Sequence, residues 1–443
     1  MRLFGTDGVR GVAGIELTDT LASSIGKACA HVLTKNKENV TVIIGNDGRI
    51  SADMLVSSLI SGLTSIGVDV INLGLIPTPA ISYLVTKYNA DAGIMVSASH
   101  NPYEYNGIKI FDENGYKLPD EIEDEIEACI NNNIEYKAKK IGRILEDKNP
   151  IKDYVDYLLS QEKFDLNGLN IAIDTANGAS SITADELFKQ TKCHYKIINN
   201  NPNGININDN CGALYLEGLS KYVIDNKLDG AVAFDGDADR AMFIDELGNV
   251  IDGDYVLAII SNILKNNNKL TNNTVVGTIM SNLGLVKYCE NNDINFIATK
   301  VGDRYILEEM LKNNYIIGGE QSGHIILKDY SKTGDGELTA LCIFKYLKES
   351  NKKFSELASI MKKYPQTLVN VIISNDKKSE LNNNQRIQTE IKKYEQELNN
   401  NGRIVVRASG TEPKIRVMIE GENLKQIETI ANNLAKVIEE ELK

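Results

Sequence analysis

The sequence contains no uninterrupted apolar run as long as the roughly 18 to 20 residues that a membrane-spanning helix needs. Residues 1–7 read Met-Arg-Leu-Phe-Gly-Thr-Asp, which is not the start of a signal peptide. We therefore expect a cytoplasmic protein that has no membrane partner.

Cysteine is sparse, and no Cys-x-x-Cys pair is present. The six cysteines stand singly in the sequence, at Cys29, Cys129, Cys193, Cys211, Cys289 and Cys342. Scattered cysteines are not the pattern of a disulfide framework or of a zinc site. They indicate reduced thiols in a reducing compartment.

Basic residues are in deficit. The chain has 48 Lys and Arg against 61 Asp and Glu, which gives a formal net charge of −13. Nucleic acids and anionic lipids are bound by clustered, excess Lys and Arg. We therefore expect no nucleic-acid partner, and an anionic substrate must be met by a local basic cluster.

The chain repeats one pattern three times: an apolar strand that ends in a polar turn, a helix-like stretch, and a second apolar strand. The first strands fall at residues 40–48, 171–178 and 275–282, and the second strands at residues 93–96, 231–234 and 315–317. Ser51 is predicted to cap the helix between the first pair of strands, because apolar residues follow it at helical spacing. Continuous apolar strands separated by helices favour parallel sheets covered by helices.

A length of 443 residues exceeds what one compact core accommodates. The tail differs from the repeats, because strand-like runs at 403–407 and 414–419 precede an amphipathic helix at 424–442. We predict three α/β domains and a smaller carboxyl-terminal α+β domain, at residues 1–150, 151–250, 251–362 and 363–443.

A serine stands at the mouth of the second strand of the first predicted domain. Ser99 lies in an Ala-Ser-His-Asn-Pro stretch, whose residue types also form plain turns. Ser97 is an alternative nucleophile, because residues two apart on a strand point to the same side. A Ser-His hydrolase built on Ser99 and His100 is disfavoured, since adjacent side chains of an extended segment point apart.

The turn after the second strand of the second domain places Asp235, Asp237 and Asp239 at alternate positions. Three carboxylates in one short loop repel one another unless a cation lies among them, which points to a hard divalent ion. An EF-hand is disfavoured, because Arg240 stands where that loop needs glycine. Mg²⁺ keeps positions for water and a phosphate oxygen, and Arg240 suits a phosphate. A solvated acidic turn is the alternative.

Two further turns carry groups suited to a sugar phosphate. Residues 318–324 read Gly-Gly-Glu-Gln-Ser-Gly-His, in which Glu320 and Ser322 offer acceptors and donors for sugar hydroxyls or an amine. The turn at residues 407–413 offers an arginine, two hydroxyls and a glycine as a phosphate cradle, namely Arg407, Ser409, Gly410 and Thr411. Each turn is also compatible with a polar turn that binds no ligand.

Additional cations stand near these loops, at Arg10, Lys109, Lys300 and Arg304. Singly, each is compatible with an ordinary surface cation. Together they can offset a phosphoryl group, which carries nearly two negative charges near neutral pH.

Taken in this order, the motifs resemble those of the α-D-phosphohexomutase superfamily. The match runs from residues 4–11, Phe-Gly-Thr-Asp-Gly-Val-Arg-Gly, to residues 407–413, with one motif in each predicted domain. The resemblance implies three α/β domains with mixed sheets and a smaller fourth domain around a central cleft. The expectation of all-parallel sheets therefore gives way to one of mixed sheets.

The resemblance also implies a role for each motif. Ser99 would carry a phosphoryl group, and the ligands of one Mg²⁺ would be Ser99, Asp235, Asp237 and Asp239. The catalytic residues implied beside Ser99 are Arg10, His100, Lys109, Arg240, Lys300 and His324. The implied substrate-binding residues are Glu320, Ser322, Arg407, Ser409, Gly410 and Thr411. Lys300 and His324 are both candidates for the general base.

By the same resemblance, the chain would move a phosphate between the 6- and 1-positions of a hexose through a phosphoserine and a 1,6-bisphosphate. A hexose or glucosamine 1,6-bisphosphate would act as activator, and the enzyme would form a homodimer. With glutamine at position 321, the loop at residues 318–324 resembles the loop of the branch that acts on glucosamine phosphates. The alternatives are the branch that acts on glucose or mannose phosphates, a sugar-phosphate phosphatase, and a non-catalytic binding protein.

Overall fold

The structure is a computed structural model that describes residues 3–5, 7–35, 37–132, 134, 136, 138, 140–145, 149–399, 401–409 and 413–443. The chain divides into two compact units. The first comprises Met1–Thr278 and Ile297–Ile360, and the second comprises Ile279–Phe296 and Met361–Lys443. Within the described ranges, no helix is both long enough and apolar enough to cross a membrane.

A six-stranded mixed sheet begins the first unit. Its strands are β1 (Val9–Val12), β2 (Thr41–Asn46), β3 (Asp69–Leu75), β4 (Ala92–Val96), β5 (Tyr105–Asp112) and β6 (Ile144–Leu145), and its helices are α1 (Asp19–Leu33), α2 (Ala52–Ser65), α3 (Thr78–Lys87) and α4 (Asp120–Asn131). The strand order is β1-β5-β4-β2-β3-β6. β2 is parallel to β3 and β4, whereas β5 is antiparallel to β4. Val42, Ile44 and Ile94 are fully buried, so apolar residues in the middle of β2 and β4 form the core of this sheet.

A five-stranded mixed sheet follows. Its strands are β7 (Asn170–Asp174), β8 (His194–Ile198), β9 (Gly230–Phe234), β10 (Ala241–Asp245) and β11 (Val250–Ile251), and its helices are α5 (Pro150–Gln161), α6 (Ala184–Phe188) and α7 (Glu217–Asn226). The order is β11-β10-β9-β7-β8. β7 is parallel to β8 and β9, whereas β10 is antiparallel to β9. The hairpin of β9 and β10 therefore closes at residues 235–240.

The third sheet has four strands. The elements of this region are β12 (Thr274–Thr278), β13 (Asn295–Thr299), β14 (Ile317–Gly319), β15 (Ile325–Leu327), α8 (Gly253–Asn266), α9 (Leu283–Asn291), α10 (Asp303–Asn313), α11 (Gly336–Ser350) and α12 (Phe354–Ala358). The strand order is β13-β12-β14-β15, with β12 parallel to β14 and β15 antiparallel to it. Phe243, Phe344 and Phe354 meet at ring-centroid distances of 5.8 to 6.2 Å and join β10 to α11 and α12.

The second unit contains α9 and a three-stranded antiparallel sheet covered by two helices. The remaining elements are β16 (Gln366–Ile372), β17 (Gly402–Ala408), β18 (Lys414–Gly421), α13 (Gln385–Leu398) and α14 (Leu424–Leu442). The order is β16-β18-β17. One face of α14 is buried against the sheet through Ile427, Ile430 and Leu434. Glu420 accepts hydrogen bonds from Asn282 Nδ2 at 3.0 Å and from Arg403 Nε at 2.9 Å, so α9 belongs to this unit.

The predicted fold class is confirmed, with three mixed α/β sheets and a smaller carboxyl-terminal α+β part. One detail is wrong. Ser51 precedes α2 as predicted, but its side chain makes no capping hydrogen bond with any residue that the structure describes. Its backbone is helical, and its Oγ instead accepts a hydrogen bond from Asn106 Nδ2 at 2.9 Å.

A buried carboxyl lies in the first turn of α11. Glu337 Oε1 accepts a hydrogen bond from Thr183 Oγ1 at 2.7 Å, and Glu337 Oε2 has no hydrogen-bond partner in the described part of the chain. Burial raises the pKa of Glu337 to about 8, although the Thr183 hydrogen bond acts in the opposite direction. The carboxyl is therefore mostly protonated in the folded chain at neutral pH.

We expect the Glu337→Gln variant to lack the decrease in the free energy of unfolding that Glu337 causes as pH rises. Because the pKa of Glu337 is raised in the folded chain, wild-type stability falls as pH rises from about 4.5 to about 8. Gln has the same shape and no proton to lose. The variant's free energy of unfolding relative to wild type, measured with urea near pH 6 and near pH 8, should rise by roughly 1 to 2 kcal/mol between the two. A difference that does not change with pH would contradict a buried, protonated Glu337.

Candidate active site

Ser99 lies in the turn that follows β4. Its φ of 53° falls in the left-handed region, which serine seldom adopts. The residue is 1% exposed, and its Oγ donates a hydrogen bond to Asp235 Oδ2 at 2.6 Å. The turn therefore directs the hydroxyl at the loop between β9 and β10.

Ser97 makes a different set of contacts. Its Oγ donates to Asp47 Oδ2 at 2.7 Å and accepts the backbone N–H of Ser99 at 2.8 Å. The Ser97 hydroxyl is thus occupied inside the turn, whereas the Ser99 hydroxyl reaches the aspartate loop. This geometry favours Ser99 over Ser97 as the nucleophile.

His100 lies closer to Ser99 than the sequence predicts. The expectation that the two side chains point apart is wrong, because the positive φ of Ser99 bends the chain and brings His100 Nδ1 to 3.3 Å from Ser99 Oγ. Burial lowers the pKa of His100 to about 4, and Arg240 and Arg10 act in the same direction. The ring is therefore neutral near pH 7. The shorter hydrogen bond of Ser99 goes to Asp235.

Three aspartates converge in the loop between β9 and β10. Asp235, Asp237 and Asp239 are buried, and each offers a carboxylate oxygen within 4.8 Å of the others. The Oδ1 atoms of Asp237 and Asp239 are buried without a hydrogen-bond partner among the described residues. Unpaired buried carboxylate oxygens are costly unless a cation binds them. This all-oxygen donor set fits Mg²⁺.

Lys109 on β5 reaches the same loop. The residue is 1% exposed, and its Nζ donates to Asp237 Oδ2 at 2.9 Å. The same Nζ lies 3.5 Å from Asp239 Oδ2 and 3.3 Å from Asp7 Oδ2. Burial disfavours the charged amine, but these three carboxylates outweigh it and raise the pKa of Lys109 well above its usual value. Lys109 is therefore a fixed cation beside the aspartates.

Two arginines stand near the aspartates. Arg240 Nε lies 4.0 Å from Asp235 Oδ2 and 3.8 Å from Asp239 Oδ1, and it has no hydrogen-bond partner in the ranges that the structure describes. Arg10 on β1 pairs with Asp7. A buried guanidinium N–H that lacks an acceptor suits an anionic ligand such as a phosphate.

The two candidate bases have different surroundings. His324 is buried, its Nε2 accepts the N–H of Gly334 at 3.1 Å, and its Nδ1 lies 3.6 Å from Asp239 Oδ2. Lys300 is exposed just after β13, and its Nζ lies 5.6 Å from the ring centroid of Tyr305. His324 therefore belongs to the aspartate cluster, and Lys300 lies at the surface.

The Gly-Gly-Glu-Gln-Ser-Gly-His turn joins β14 to β15. Glu320 Oε1 accepts the N–H of Gly302 at 3.1 Å, and Glu320 Oε2 accepts a hydrogen bond from Ser322 Oγ at 3.2 Å. Gly323 has a φ of 92°, and a Cβ at this position would lie 2.5 Å from the carbonyl oxygen of Ala241. Glycine therefore lets this turn pack on the start of β10, next to the aspartate loop.

A line of alternating charges, which the sequence analysis missed, crosses the first unit. Lys117 contacts Asp7 and lies 2.5 Å from Asp303 Oδ2. Asp303 Oδ2 in turn lies 3.7 Å from His324 Nε2, and Asp7 lies beside Lys109. These charges connect β5 with the 318–324 turn. Asp7 stands in the 4–11 motif, whereas no local pattern marks Lys117 or Asp303.

The predicted phosphate loop lies in the second unit. Arg407 on β17 is in register with Arg416 on β18. Like charges on facing positions repel, and burial together with Arg416 lowers the pKa of Arg407. Arg407 Nε is buried without a hydrogen-bond partner among the residues described for this unit, which suits a bound anion. Ser409 is buried, and Gly410 and Thr411 lie outside the described residues.

Comparison with known protein families shows to which family the chain belongs. Models of phosphoglucomutase/phosphomannomutase match four consecutive segments: alpha/beta/alpha domain I at residues 1–137, domain II at 152–248, domain III at 252–364, and the C-terminal domain at 368–437. The chain belongs to the phosphoglucomutase/phosphomannomutase family. The resemblance carried by the sequence motifs is thereby confirmed.

Relatives in the family are similar over the whole chain. A phosphoglucosamine mutase of Clostridium botulinum (strain Kyoto) is 53% identical over 447 residues, covering 100% of both chains. A phosphoglucosamine mutase of Clostridium tetani is 50% identical over 446 residues, again covering 100% of both. One of Clostridium novyi is 52% identical and covers 99% of each chain.

Solved structures share the fold of this chain. A phosphoglucomutase/phosphomannomutase family protein from Burkholderia thailandensis has a TM-score of 0.83 at 21% identity and covers 99% of this chain and 97% of its own. The N-acetylphosphoglucosamine mutase of Aspergillus fumigatus, in complex with GlcNAc-6P and magnesium, has a TM-score of 0.71 at 18% identity and covers 100% of this chain and 96% of its own. Both agree with the predicted fold class.

Proposed function

We propose that this family member interconverts glucosamine 6-phosphate and glucosamine 1-phosphate through a phosphorylated Ser99. Relatives that are 50 to 53% identical over the full chain bear the name of that activity. The observation that carries the proposal is the position of Ser99 Oγ, 2.6 Å from Asp235 in a buried loop of three aspartates. Phosphoryl transfer depends mainly on positioning and charge stabilisation, which this arrangement provides.

The proposed reaction consists of two phosphoryl transfers in opposite directions. In the first, a sugar hydroxyl oxygen bonds to the phosphorus on Ser99, the bond from phosphorus to Oγ breaks, and the hydroxyl proton passes to a base. Ser99 Oγ takes up a proton, and a sugar 1,6-bisphosphate forms. After the sugar reorients, Ser99 Oγ loses its proton to a base and bonds to the phosphorus of the other phosphate. The bond from that phosphorus to the sugar oxygen breaks, and the released sugar oxygen takes up a proton. No water or nucleotide is consumed.

Positive charge near Ser99 supports the transfer. The proposed ligands of one Mg²⁺ are Ser99, Asp235, Asp237 and Asp239. When bound, this ion supplies charge stabilisation to the phosphoryl oxygens. Lys109, Arg10 and Arg240 add fixed positive charge from the chain itself, and Arg240 has an N–H without an acceptor among the described residues. These groups oppose the two negative charges of the phosphoryl group.

Two loops are proposed to hold the substrate. Glu320 and Ser322 bind the sugar, because their oxygens meet at the tip of a turn that packs on β10. The loop proposed to hold the phosphate already on the sugar consists of Arg407, Ser409, Gly410 and Thr411. The facing guanidinium groups of Arg407 and Arg416 support this assignment, since a dianion relieves their repulsion.

The proton of the attacking hydroxyl is proposed to pass to Lys300 or His324, with His100 as a neutral neighbour of Ser99. His324 Nε2 accepts the N–H of Gly334, so His324 serves as a base through Nε2 only after that hydrogen bond breaks. Lys300 lies on an exposed turn before α10 and carries no such constraint from Gly334. The two residues are therefore proposed as alternatives.

We also propose the setting of the reaction. The substrate is a small sugar phosphate, and a hexose or glucosamine 1,6-bisphosphate primes Ser99. The enzyme acts in the cytoplasm as a homodimer with no nucleic-acid partner, and its product enters amino-sugar nucleotide and cell-wall precursor synthesis. Six buried cysteines that form no disulfide within the described ranges and a net charge of −13 support this setting.

An assay with three sugars tests the proposed function. The protein is incubated with Mg²⁺, a trace of glucose 1,6-bisphosphate and the 6-phosphate of glucosamine, glucose or mannose, and sugar 1-phosphate and free phosphate are followed. We expect kcat/KM for glucosamine 6-phosphate to exceed kcat/KM for the other two substrates by about tenfold or more. The protein groups that bind the amine are left without a partner when another sugar is bound. Faster turnover of glucose or mannose phosphate would assign another branch of the family. Predominant free phosphate would indicate a phosphatase.

A further inference from the structure

Arg49 is a buried arginine that the proposed chemistry does not use. Its side chain is 0% exposed and is among the largest fully buried side chains of the described residues. Arg49 follows β2, which is parallel to β4, so the ends of the two strands place Arg49 beside the Ser99 turn. A buried guanidinium group is costly unless its N–H groups are bonded.

All five N–H groups of Arg49 have acceptors. Nε donates to Asp47 Oδ2 at 2.9 Å. The other four N–H groups donate to main-chain carbonyl oxygens of one turn, those of Ser99 (2.9 Å), Asn101 (2.8 Å), Tyr105 (3.0 Å) and Pro102. A planar group with five donors in a fixed fork can make this set, and lysine, with three donors on one nitrogen, cannot.

The peptide groups on both sides of Ser99 are fixed by this network. The Ser99 N–H donates to Ser97 Oγ, which donates to the same Asp47 carboxylate that Arg49 contacts. The Ser99 carbonyl accepts from Arg49 and also from Asn208 Nδ2 at 2.9 Å. Asn208 therefore adds a second donor, from the loop before α7. These bonds hold Ser99 at its unfavourable φ of 53°.

We propose that Arg49, with Asp47 and Asn208, positions Ser99 Oγ for phosphoryl transfer; this inference rests on the proposed function. Arg49 contacts no reacting atom and acts through the direction that it gives to the Ser99 side chain. In-line transfer is sensitive to such placement, since a displacement of about 1 Å can lower a rate by roughly 10²-fold. Arg49 is thus a positioning residue.

Two variants test the proposal. Arg49→Lys keeps a positive charge near Asp47 but cannot bond all four carbonyls. Asn208→Gly removes the amide that donates to the carbonyl oxygens of Ser99 and Asn101, while glycine tolerates the φ of 58° at this position. We expect kcat to fall by about 100-fold in the first and about 10-fold in the second, with KM within about threefold of wild type, since the substrate contacts stay in place.

Asp245→Asn is the matched control. Asp245 is buried, and its carboxylate accepts hydrogen bonds from Leu247 N and Asn249 N at the far end of β10. This variant is expected to lower the melting temperature and to leave kcat unchanged. It shows how much activity is lost through reduced stability alone.

Hydrogen exchange of residues 97–105 provides a readout that does not need turnover. Faster exchange there in Arg49→Lys, together with low kcat and unchanged KM, supports the positioning role. The role is overturned if both variants keep kcat within about threefold of wild type, or if their losses only follow the melting temperature as in the control. If the wild-type protein is inactive with every sugar phosphate, the proposed function is wrong. If the wild type is active and both variants keep its kcat and its hydrogen exchange, only the positioning role is overturned.

Discussion

Ser99→Ala is expected to lower kcat of the mutase reaction by roughly 10³-fold or more, while the chain stays folded. The substitution removes the oxygen that would accept and release the phosphoryl group in both transfers. The remaining cations and aspartates stabilise charge but offer no oxygen in its place. One hydrogen bond to Asp235 is lost, so we expect a loss of stability of only about 1 to 3 kcal/mol. Turnover and the melting temperature are measured together.

Ser97→Ala is the matched control for this variant. Ser97 bonds Asp47 and the Ser99 N–H, so its loss loosens the turn and should lower kcat by about tenfold at most. Peptide mass analysis should find phosphate on Ser99 in both wild type and this control. Phosphate on Ser97 with none on Ser99 would refute the assignment, as would a Ser99→Ala enzyme with near wild-type turnover.

Asp237→Asn is expected to lower both the affinity for Mg²⁺ and kcat, each by about 10²-fold or more. The amide removes one of three negative charges at the aspartate loop. Asp237 Oδ1, which has no hydrogen-bond partner within the described ranges, is one of the atoms that suit a cation. The amide also weakens the ion pair with Lys109 at 2.9 Å. Calorimetric titration with Mg²⁺ in the absence of sugar measures the affinity separately from activity.

Asp245→Asn also serves as the control for metal binding. Asp245 is a buried aspartate on the same hairpin, but its carboxylate caps the turn to β11 and faces no second carboxylate in the described contacts. We expect its Mg²⁺ affinity to equal that of wild type. An Asp237→Asn variant that binds Mg²⁺ as tightly as this control would contradict the metal assignment.

The regular elements were foreseeable because their signals are local. The polar turns at 45–48, 174–178 and 235–240 follow continuous apolar strands, and the apolar spacing of residues 424–442 marks α14 with its observed bounds. Strand β16 was not predicted, because apolar residues such as Leu368 and Ile372 lie on its exposed side, so its sequence shows no clear polar–apolar alternation. The Ser51 cap failed for a tertiary reason, since Asn106 supplies a competing donor.

The candidate site was foreseeable only where its residues stand in a motif. Asp47 and Arg49 form an Asp-Gly-Arg turn after β2, and the shared edge of parallel strands could have placed that turn beside Ser99. Lys117 and Asp303 stand 186 positions apart and meet only through the fold. The closeness of His100 to Ser99 depends on a positive φ, which no pattern of residue types near Ser99 signals.

The phosphoserine mechanism is tested most directly by following one phosphoryl group through a single turnover. The enzyme is loaded with glucose 1,6-bisphosphate, separated from it, mixed with Mg²⁺ and glucosamine 6-phosphate, and quenched at intervals. We expect phosphate to leave the Ser99 peptide as an equal amount of glucosamine 1,6-bisphosphate forms, and to return to it as glucosamine 1-phosphate appears. Free phosphate in place of the bisphosphate, or a Ser99 peptide that never carries phosphate, would contradict this mechanism.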